Sequence, residues 1–190
     1  MENIRICENC EQPFVGRVDA RTCSTRCRVA RHRAASRFVP SRMRQADRWV
    51  RHDRKRPVMP DGRSASSTDP ATWSSFDEAM AGQAGDGVGF VLNGDGLVCI
   101  DLDGCVEDGV VSGWAAAIVA LFPGVPVEVS MSGRGLHIWG FGPNVSRVFT
   151  LDGGRVEVYA DKRYIAVTGN WLRRGKLGDL SAGLTELGVL

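Results

Sequence analysis

The sequence contains no hydrophobic stretch long enough to cross a membrane. No apolar run approaches the roughly 20 residues that a spanning helix requires. The N-terminal residues Met1-Glu2-Asn3 also lack the basic start and the apolar run of a secretory signal peptide. These absences predict a cytoplasmic protein without a membrane partner. In that compartment, cysteines occur as thiols or metal ligands more often than as disulfides.

Positive charge is absent from the middle of the chain, because no Lys or Arg occurs between Arg63 and Arg134. Residues 1–63 hold 16 Lys and Arg against 7 Asp and Glu, whereas residues 64–190 hold 8 against 15. The net charge of +2 therefore hides a basic front and an acidic body. A basic front is expected for a nucleic-acid partner, and a solvated surface without a ligand is the simpler alternative. An acidic body is consistent with a cation site.

The remaining composition is that of an ordinary globular protein, with 43% apolar and 24% charged residues. A chain of 190 residues can bury one main core and carry a small appendage. We predict a basic metal-binding module at residues 1–37, a linker at 38–45 that contains Pro40, and a main domain at 46–190.

Four of the six cysteines form two close pairs in the front module. Two residues separate Cys7 from Cys10, and three separate Cys23 from Cys27. This spacing predicts a tetrahedral Zn²⁺ site, with the first pair on a turn and the second at the start of a helix. Disulfide pairing is the alternative, and the expected compartment argues against it. His32 is a possible further ligand, although four cysteines already complete the site.

The helix that carries the second pair is expected to begin after Ser24 and to end near Ala35. Basic side chains surround it and suggest contact with phosphates: Arg26, Arg28, Arg31, Arg33 and Arg37.

The central feature of the main domain is a pair of aspartates at the end of an apolar run. Residues 96–100 are expected to form a buried strand that leads into Asp101 and Asp103. Alternation along a strand places both carboxylates on one face and Leu102 on the other. Neighbouring carboxylates repel each other unless a cation lies between them, and Mg²⁺ or Mn²⁺ prefers oxygen ligands. The simpler interpretation is a strand end in which one Asp caps the turn at Gly104.

A second polar stretch follows in residues 130–139. Its glycines free backbone N–H groups to approach a phosphate, and Ser132, Arg134 and His137 supply side-chain donors. The alternating pattern around His137 predicts a strand that places it on the face opposite Leu136. Taken alone, a glycine-rich turn is weak evidence, and a structural histidine is the alternative.

A third stretch places one acid in a β-branched run. Glu157 lies in a predicted strand at 155–159, which is followed by a tight basic turn and a returning strand at 164–169. A third metal ligand beside the Asp pair would explain Glu157, and a cross-strand partner for Arg163 is the alternative.

The other predicted elements frame these stretches. They are a strand pair at 46–58, a helix opening at 72–80, a strand at 87–92 with a hairpin turn at 93–96, a helix at 112–122, a strand beginning at 126–129, and a basic loop with a weak helix at 171–190.

The three polar stretches, taken in order, resemble the motifs of the archaeo-eukaryotic primase superfamily. These motifs are Asp-x-Asp on a strand, Ser-Gly-Arg-Gly-x-His on the next, and a strand acid before Arg-Tyr-x-x-x-Thr-Gly. The resemblance is strongest to the bifunctional primase-polymerase domain of phages and plasmids and covers roughly residues 45–172. Lys55-x-Pro57 and residues 68–73 also resemble the N-terminal part of that domain.

The resemblance implies a role in nucleotidyl transfer for individual residues. Three acids would hold two catalytic Mg²⁺ or Mn²⁺ ions: Asp101, Asp103 and Glu157. Five further side chains would bind the nucleotide triphosphate or the template: Lys55, Ser132, Arg134, His137 and Arg163.

The resemblance also implies a fold, an activity and partners. The expected fold is α+β, an RRM-like catalytic core extended by an N-terminal α/β unit. The expected activity is that of a DNA primase and polymerase, which uses nucleoside triphosphates on single-stranded or primed DNA in a bacterial host cell. Many relatives carry a helical priming domain and a helicase after this core. This chain stops at Leu190, so we expect it to extend primers more readily than it starts them, with a separate helicase or priming subunit as a partner.

Two other functions compete with this one. A phosphatase of the haloacid-dehalogenase type also has Asp-x-Asp-Gly after an apolar strand and would use Asp101 as a nucleophile. Cys105 replaces the usual Thr of that motif, which argues against it. The second alternative is a nucleic-acid-binding module that has kept the fold and lost catalysis. The presence of all three acids disfavours it.

Overall fold

The computed structural model describes residues 4–17, 20–35 and 38–190, with the backbone alone for residues 31–35. The chain forms two units, Met1–Phe38 and Val39–Leu190. Among the helices of the described ranges, none is long and apolar enough to cross a membrane.

The smaller unit combines a short antiparallel hairpin with one helix. Its elements are β1 (Ile4–Ile6), β2 (Pro13–Val15) and α1 (Thr25–Ala35). The predicted start of the helix is confirmed, because the backbone N–H of Cys27 donates to the Ser24 hydroxyl at 3.2 Å. The predicted contributions of four side chains lie outside the described residues: Arg31, His32, Arg33 and Arg37.

The larger unit contains most of the strands and four short helices. The strands are β3 (Trp49–Asp53), β4 (Arg56–Val58), β5 (Gly87–Leu92), β6 (Leu97–Asp103), β7 (Val106–Glu107), β8 (Val110–Val111), β9 (Val127–Val129), β10 (Leu136–Phe141), β11 (Arg147–Leu151), β12 (Gly154–Tyr159), β13 (Arg163–Val167) and β14 (Trp171–Arg173). The helices are α2 (Ser41–Arg44), α3 (Phe76–Ala81), α4 (Gly113–Ala120) and α5 (Ser181–Glu186), with a 3₁₀ turn at Pro70–Thr72.

Two antiparallel sheets organise these strands. Six strands follow the order β11-β12-β6-β10-β9-β14, and four follow the order β13-β5-β3-β4. Strands β7 and β8 form a separate hairpin. The combination of antiparallel sheets with short helices confirms the predicted α+β class.

The pleat of β6 separates two hydrophobic cores. Ile100 belongs to a core shared with α4 and α5, whereas Leu97 and Cys99 belong to a core shared with the four-stranded sheet. Because alternate residues of a strand share a face, Asp101 and Asp103 continue the face of Leu97 and Cys99. Both carboxylates therefore lie on the side of the six-stranded sheet that faces the four-stranded one.

The predicted hairpin at residues 93–96 is wrong. Among the described strands, β5 and β6 belong to different sheets, and this connection carries the chain from one sheet to the other. The turn at 161–162 makes the reverse crossing, so the predicted returning strand β13 pairs with β5 and not with β12. The Gly94 N–H donates to the Ala160 carbonyl at 2.9 Å and ties the two connections together. Turn residues favour a local bend, but they do not select the partner of the next strand.

Residues 38–45, predicted to be a linker, contain α2 and belong to the larger unit from Val39 onward. Met43 is fully buried, and its carbonyl accepts a hydrogen bond from Trp49 Nε1 at 2.9 Å. Pro40 directly precedes this helix at its N-cap position. The apolar side chain of Met43, more than the proline, decides how the stretch packs.

Arg48 anchors one of the connections between the sheets. Its guanidinium forms an ion pair with Asp95 at 2.9 Å and also donates to the Asn93 side chain. The same group lies over the ring of Phe90, 4.7 Å from its centroid. Burial lowers the pKa of Arg48, and the charge of Asp95 opposes that shift. The pair therefore ties the 93–96 connection to the start of β3.

Replacing Arg48 with alanine should lower the free energy of unfolding by about 2 kcal/mol, because the buried guanidinium loses its ion pair with Asp95 and its contact with the ring of Phe90 together. The control is Arg63→Ala, which breaks an exposed ion pair with Asp61 and should leave stability almost unchanged. Urea unfolding of both variants measures the difference. Equal losses in the two variants would contradict the anchoring role.

Candidate active site

Four ionisable side chains lie in one row across the six-stranded sheet. The strand register pairs Asp101 with Glu157 of β12 on one side and with His137 of β10 on the other. His137 pairs in turn with Glu128 of β9. Directly opposed residues of antiparallel strands project from the same face. All four side chains therefore belong to the face that carries the Asp pair, and the predicted strand face of His137 is confirmed.

A cleft of about 400 Å³ opens beside this row. One wall is formed by the ends of β6 and β10 with residues 130–132, and the other by the β3–β4 turn with residues 162–166. The first wall contains the two aspartates, and the second contains three cations. Six of the residues predicted from the sequence line the cleft: Lys55, Asp101, Asp103, Ser132, His137 and Arg163.

Asp101 has an unsatisfied oxygen at the centre of the row. Its Oδ1 atom is buried and accepts no hydrogen bond from the described residues, and His137 Nε2 lies 3.7 Å from it. Burial raises the pKa of Asp101, and the charge of His137 opposes that shift. A buried carboxylate oxygen without a partner costs free energy. Because Asp103 adds a second carboxylate on the same face, the oxygen donors present fit a hard divalent cation.

Glu157 lies beside Asp101, but it does not line the cleft. Its Oε1 atom is 2.5 Å from Arg155 Nη2, and its Oε2 atom accepts a hydrogen bond from the Tyr159 hydroxyl at 2.6 Å. Burial alone would raise the pKa of Glu157, but these two partners outweigh it and lower the pKa. Arg155 Nε also lies 3.7 Å from Asp103 Oδ2, so one guanidinium contacts two of the three acids.

The proposed ion pair between Glu157 and Arg163 does not form, because β12 and β13 lie in different sheets. Arg163 instead stacks over the ring of Tyr159, 4.6 Å from its centroid. The guanidinium of Arg163 is therefore available to the cleft that it lines.

The glycine-rich turn before β10 is braced by its own serines. The N–H of Gly135 donates to Ser130 Oγ at 3.1 Å, and the N–H of Arg134 donates to Ser132 Oγ at 3.2 Å. Gly133 has a φ of +76°, which favours glycine. The side chain of Arg134 is not part of the cleft lining, in contrast to Ser132. The turn is thus a fixed loop that holds Ser132 at the edge of the cleft.

Glu128, which was not predicted from the sequence, is fully buried. One of its oxygens lies 3.3 Å from His137 Nδ1. Burial lowers the pKa of His137, but the hydrogen bond and the charge of Glu128 outweigh it and raise the pKa. The signal that could have revealed Glu128 is its place in a β-branched run, the same argument that selected Glu157. Lys162 and Tyr164, which flank Arg163, also line the cleft and were missed.

The smaller unit brings its four cysteines together as predicted. Their sulfur atoms all lie within 4.8 Å of one another, and Cys23 Sγ is 3.5 Å from Cys27 Sγ and 3.7 Å from Cys10 Sγ. All are free thiols, so the disulfide alternative is wrong. Burial raises the pKa of Cys7, but backbone hydrogen bonds to its sulfur outweigh it and lower the pKa to about 6. Thiolates in this arrangement can hold a metal ion.

Comparison with known proteins identifies the family. Residues 29–178 match the Prim-Pol family, described as "Bifunctional DNA primase/polymerase, N-terminal". The chain is also 38% identical, over 136 residues, to a DNA primase-polymerase of Nitratiruptor phage NrS-1. That alignment covers 64% of this chain and 19% of the phage protein, so the match spans about a fifth of the relative's length. The match to this family argues against the haloacid-dehalogenase alternative. The chain belongs to the bifunctional DNA primase/polymerase family.

Proposed function

We propose that the larger unit catalyses template-directed nucleotidyl transfer: the 3′-hydroxyl of a DNA strand attacks the α-phosphate of a nucleoside triphosphate, a phosphodiester bond forms, and the bond to the β-phosphate breaks with release of pyrophosphate. The observation that carries this proposal is the cleft itself. Its first wall offers two carboxylates and an imidazole, and its second offers Lys55, Lys162 and Arg163. A triphosphate with its divalent cations needs both kinds of group.

In this proposal, Asp101, Asp103 and Glu157 hold two Mg²⁺ or Mn²⁺ ions. The ions would activate the 3′-hydroxyl and stabilise the negative charge on the transferred and leaving phosphates. The unsatisfied oxygen of Asp101 supports this assignment. Arg155 already neutralises Glu157 and part of Asp103, so it limits the mutual repulsion of the three acids.

The triphosphate is proposed to lie against the opposite, basic wall. Lys55 and Arg163 supply positive charge from the four-stranded sheet, and Ser132 and His137 supply donors from the turn before β10 and from β10. Arg134 is proposed to bind phosphate from outside the described cleft. These residues position the α-phosphate and reduce its electrostatic repulsion of the attacking oxygen.

The larger unit is proposed to be an RRM-like catalytic core, and the smaller unit a basic zinc module that contacts DNA. Arg26 and Arg28, on the helix that starts within the cysteine cluster, supply positive charge for phosphate contacts. The proposed substrates are primed or single-stranded DNA and nucleoside triphosphates. A helicase or a helical priming subunit is the proposed partner for starting new strands, and a bacterial cytoplasm is the proposed location.

Asp103→Asn should reduce nucleotide incorporation at least about a hundredfold, because the change removes a metal-binding charge and almost preserves the shape of the side chain. Folding and DNA binding should remain. The assay extends a labelled primer on a single-stranded template, and Asp108→Asn, in the exposed β7–β8 turn, is the control. Full activity of Asp103→Asn protein would remove this residue from the mechanism. If wild-type protein binds DNA but incorporates no nucleotide with either metal, the chain is a binding module.

Lys55→Gln should raise the KM for the nucleotide about tenfold, because a cation that lines the cleft is lost. Its neighbour Arg56 has the same charge but does not line the cleft, so Arg56→Gln is the matched control. Nucleotide and template are titrated separately. A change confined to template affinity would mean that Lys55 binds DNA and not the nucleotide. Equal effects of both substitutions would mean that Lys55 acts only through the overall positive charge of the surface.

About one zinc ion per chain should copurify with the protein, bound by the four clustered cysteines. The double variant Cys23→Ser and Cys27→Ser should lose this metal, whereas Cys105→Ala should keep it because Cys105 is buried in the core of the larger unit. Elemental analysis of protein purified without added zinc measures the content. Unchanged metal in the double variant would reject the site.

A further inference from the structure

Glu128 is a buried carboxylate with hydrogen-bond partners on several elements of the larger unit. It is 0% exposed, and both of its oxygens accept hydrogen bonds. Oε1 lies 3.3 Å from His137 Nδ1 and accepts from Trp139 Nε1 at 3.2 Å. Oε2 accepts from the backbone N–H groups of Thr168 and Gly169, each at 3.0 Å, and from the Thr168 hydroxyl at 3.1 Å. A carboxylate placed among donors on every side acts as a fixed acceptor.

The acceptor role of Glu128 determines the state of the neighbouring imidazole. Because the carboxylate only accepts, the proton of the shared hydrogen bond belongs to Nδ1 of His137. The opposite edge of the ring, Nε2, then faces Asp101 and the cleft, 3.7 Å from Oδ1. Side chains that orient a ligand-binding histidine from behind commonly act in this way.

We propose that Glu128 is the positioning residue of the site: it accepts a hydrogen bond from Nδ1 of His137 and thereby fixes the orientation of the ring, so that the Nε2 edge faces the triphosphate. This inference rests on the proposed function. It also accounts for Thr168-Gly169, the end of the third motif. In this structure the N–H groups of these two residues donate to Glu128 and hold the positioning carboxylate in place.

A buried glutamate could instead serve only to satisfy the backbone between β13 and β14. The structural and the positioning role of Glu128 differ in whether the effect of replacing Glu128 depends on His137. A structural role lowers stability whether or not His137 is present, whereas a positioning role changes nucleotide binding only through the imidazole. A double-mutant cycle between the two positions separates them.

The first measurement records the ¹⁵N spectrum of histidine-labelled full-length protein. The chain has three histidines, and the signal lost in His137→Ala identifies the relevant one. The wild type should show a protonated Nδ1 at neutral pH. In Glu128→Gln, one of the two acceptor oxygens becomes an NH₂ group that cannot accept a hydrogen bond. The fraction of His137 with a protonated Nδ1 should then fall. Trp139→Phe, which removes a different donor to the same carboxylate, should keep the wild-type form.

The second measurement is the affinity for dGTP with Mg²⁺. Glu128→Gln should weaken binding about tenfold in the wild-type background and less than about twofold when His137 is alanine. Equal weakening in both backgrounds would overturn the proposal, and so would a wild-type spectrum with an unprotonated Nδ1. The wild-type spectrum is decisive even if Glu128→Gln protein does not fold. If wild-type protein binds no nucleoside triphosphate, the proposed function fails, and the spectra still decide whether Glu128 sets the state of His137.

Discussion

Strand β6 is hydrogen-bonded along both edges, and its register with β10 and β12 places Asp101 between His137 and Glu157. A shift by one residue would turn the aspartates into the core beside α4 and move Ile100 and Leu102 to the face that carries the cleft. Each of these fully buried side chains contributes about 1.5–3 kcal/mol of hydrophobic free energy, so the register is strongly fixed. The apolar residues of the strand thereby hold two carboxylates in positions that electrostatics alone would disfavour.

The connections at 93–96 and 161–162, which carry the chain from one sheet to the other, determine on which wall of the cleft Lys162 and Arg163 lie. Lys162 and Arg163 come only a few residues after β12 ends at Tyr159, yet the crossing carries Arg163 into the four-stranded sheet. In a simple hairpin, β13 would lie beside β12 in the six-stranded sheet, and its cations would not reach the opposite wall of the cleft. In the observed fold, Arg163 lines the wall of the cleft opposite the aspartates. The topology thus places these cations across the cleft from the aspartates, with space between them for a charged ligand.

The sequence was sufficient to predict features that depend on local pattern. Alternation gave the common face of Asp101 and Asp103, and cysteine spacing gave the cluster in the smaller unit. Capping gave the start of α1 at Ser24. The resemblance brought together six of the residues that line the cleft, although no spacing along the chain measures their distance in space.

Long-range pairing could not be predicted, because turn chemistry is the same whether a turn joins two strands of one sheet or two sheets. The 93–96 connection has the residues of a hairpin turn and nevertheless changes sheet, held by the ion pair between the buried Arg48 and the partly exposed Asp95. Glu128 was missed for a related reason. Its partners Thr168 and Gly169 lie 40 and 41 residues further along the chain. Only the folded structure shows that they contact Glu128.

The gap in positive charge between Arg63 and Arg134 corresponds to the layout of the cleft. Asp101 and Asp103 of the acidic wall, and Glu128 behind it, come from that cation-free segment, whereas Lys55 and Arg163 come from outside it. A lysine or arginine near the aspartates within this segment could form an ion pair with Asp101 and satisfy its free oxygen. Arg155 of β12, which lies after this segment in the chain, does contact two of the acids, Asp103 and Glu157. It does not line the cleft. Because the central segment contains no lysine or arginine, none of its side chains pairs with the buried oxygen of Asp101, and that oxygen stays open to a divalent ion.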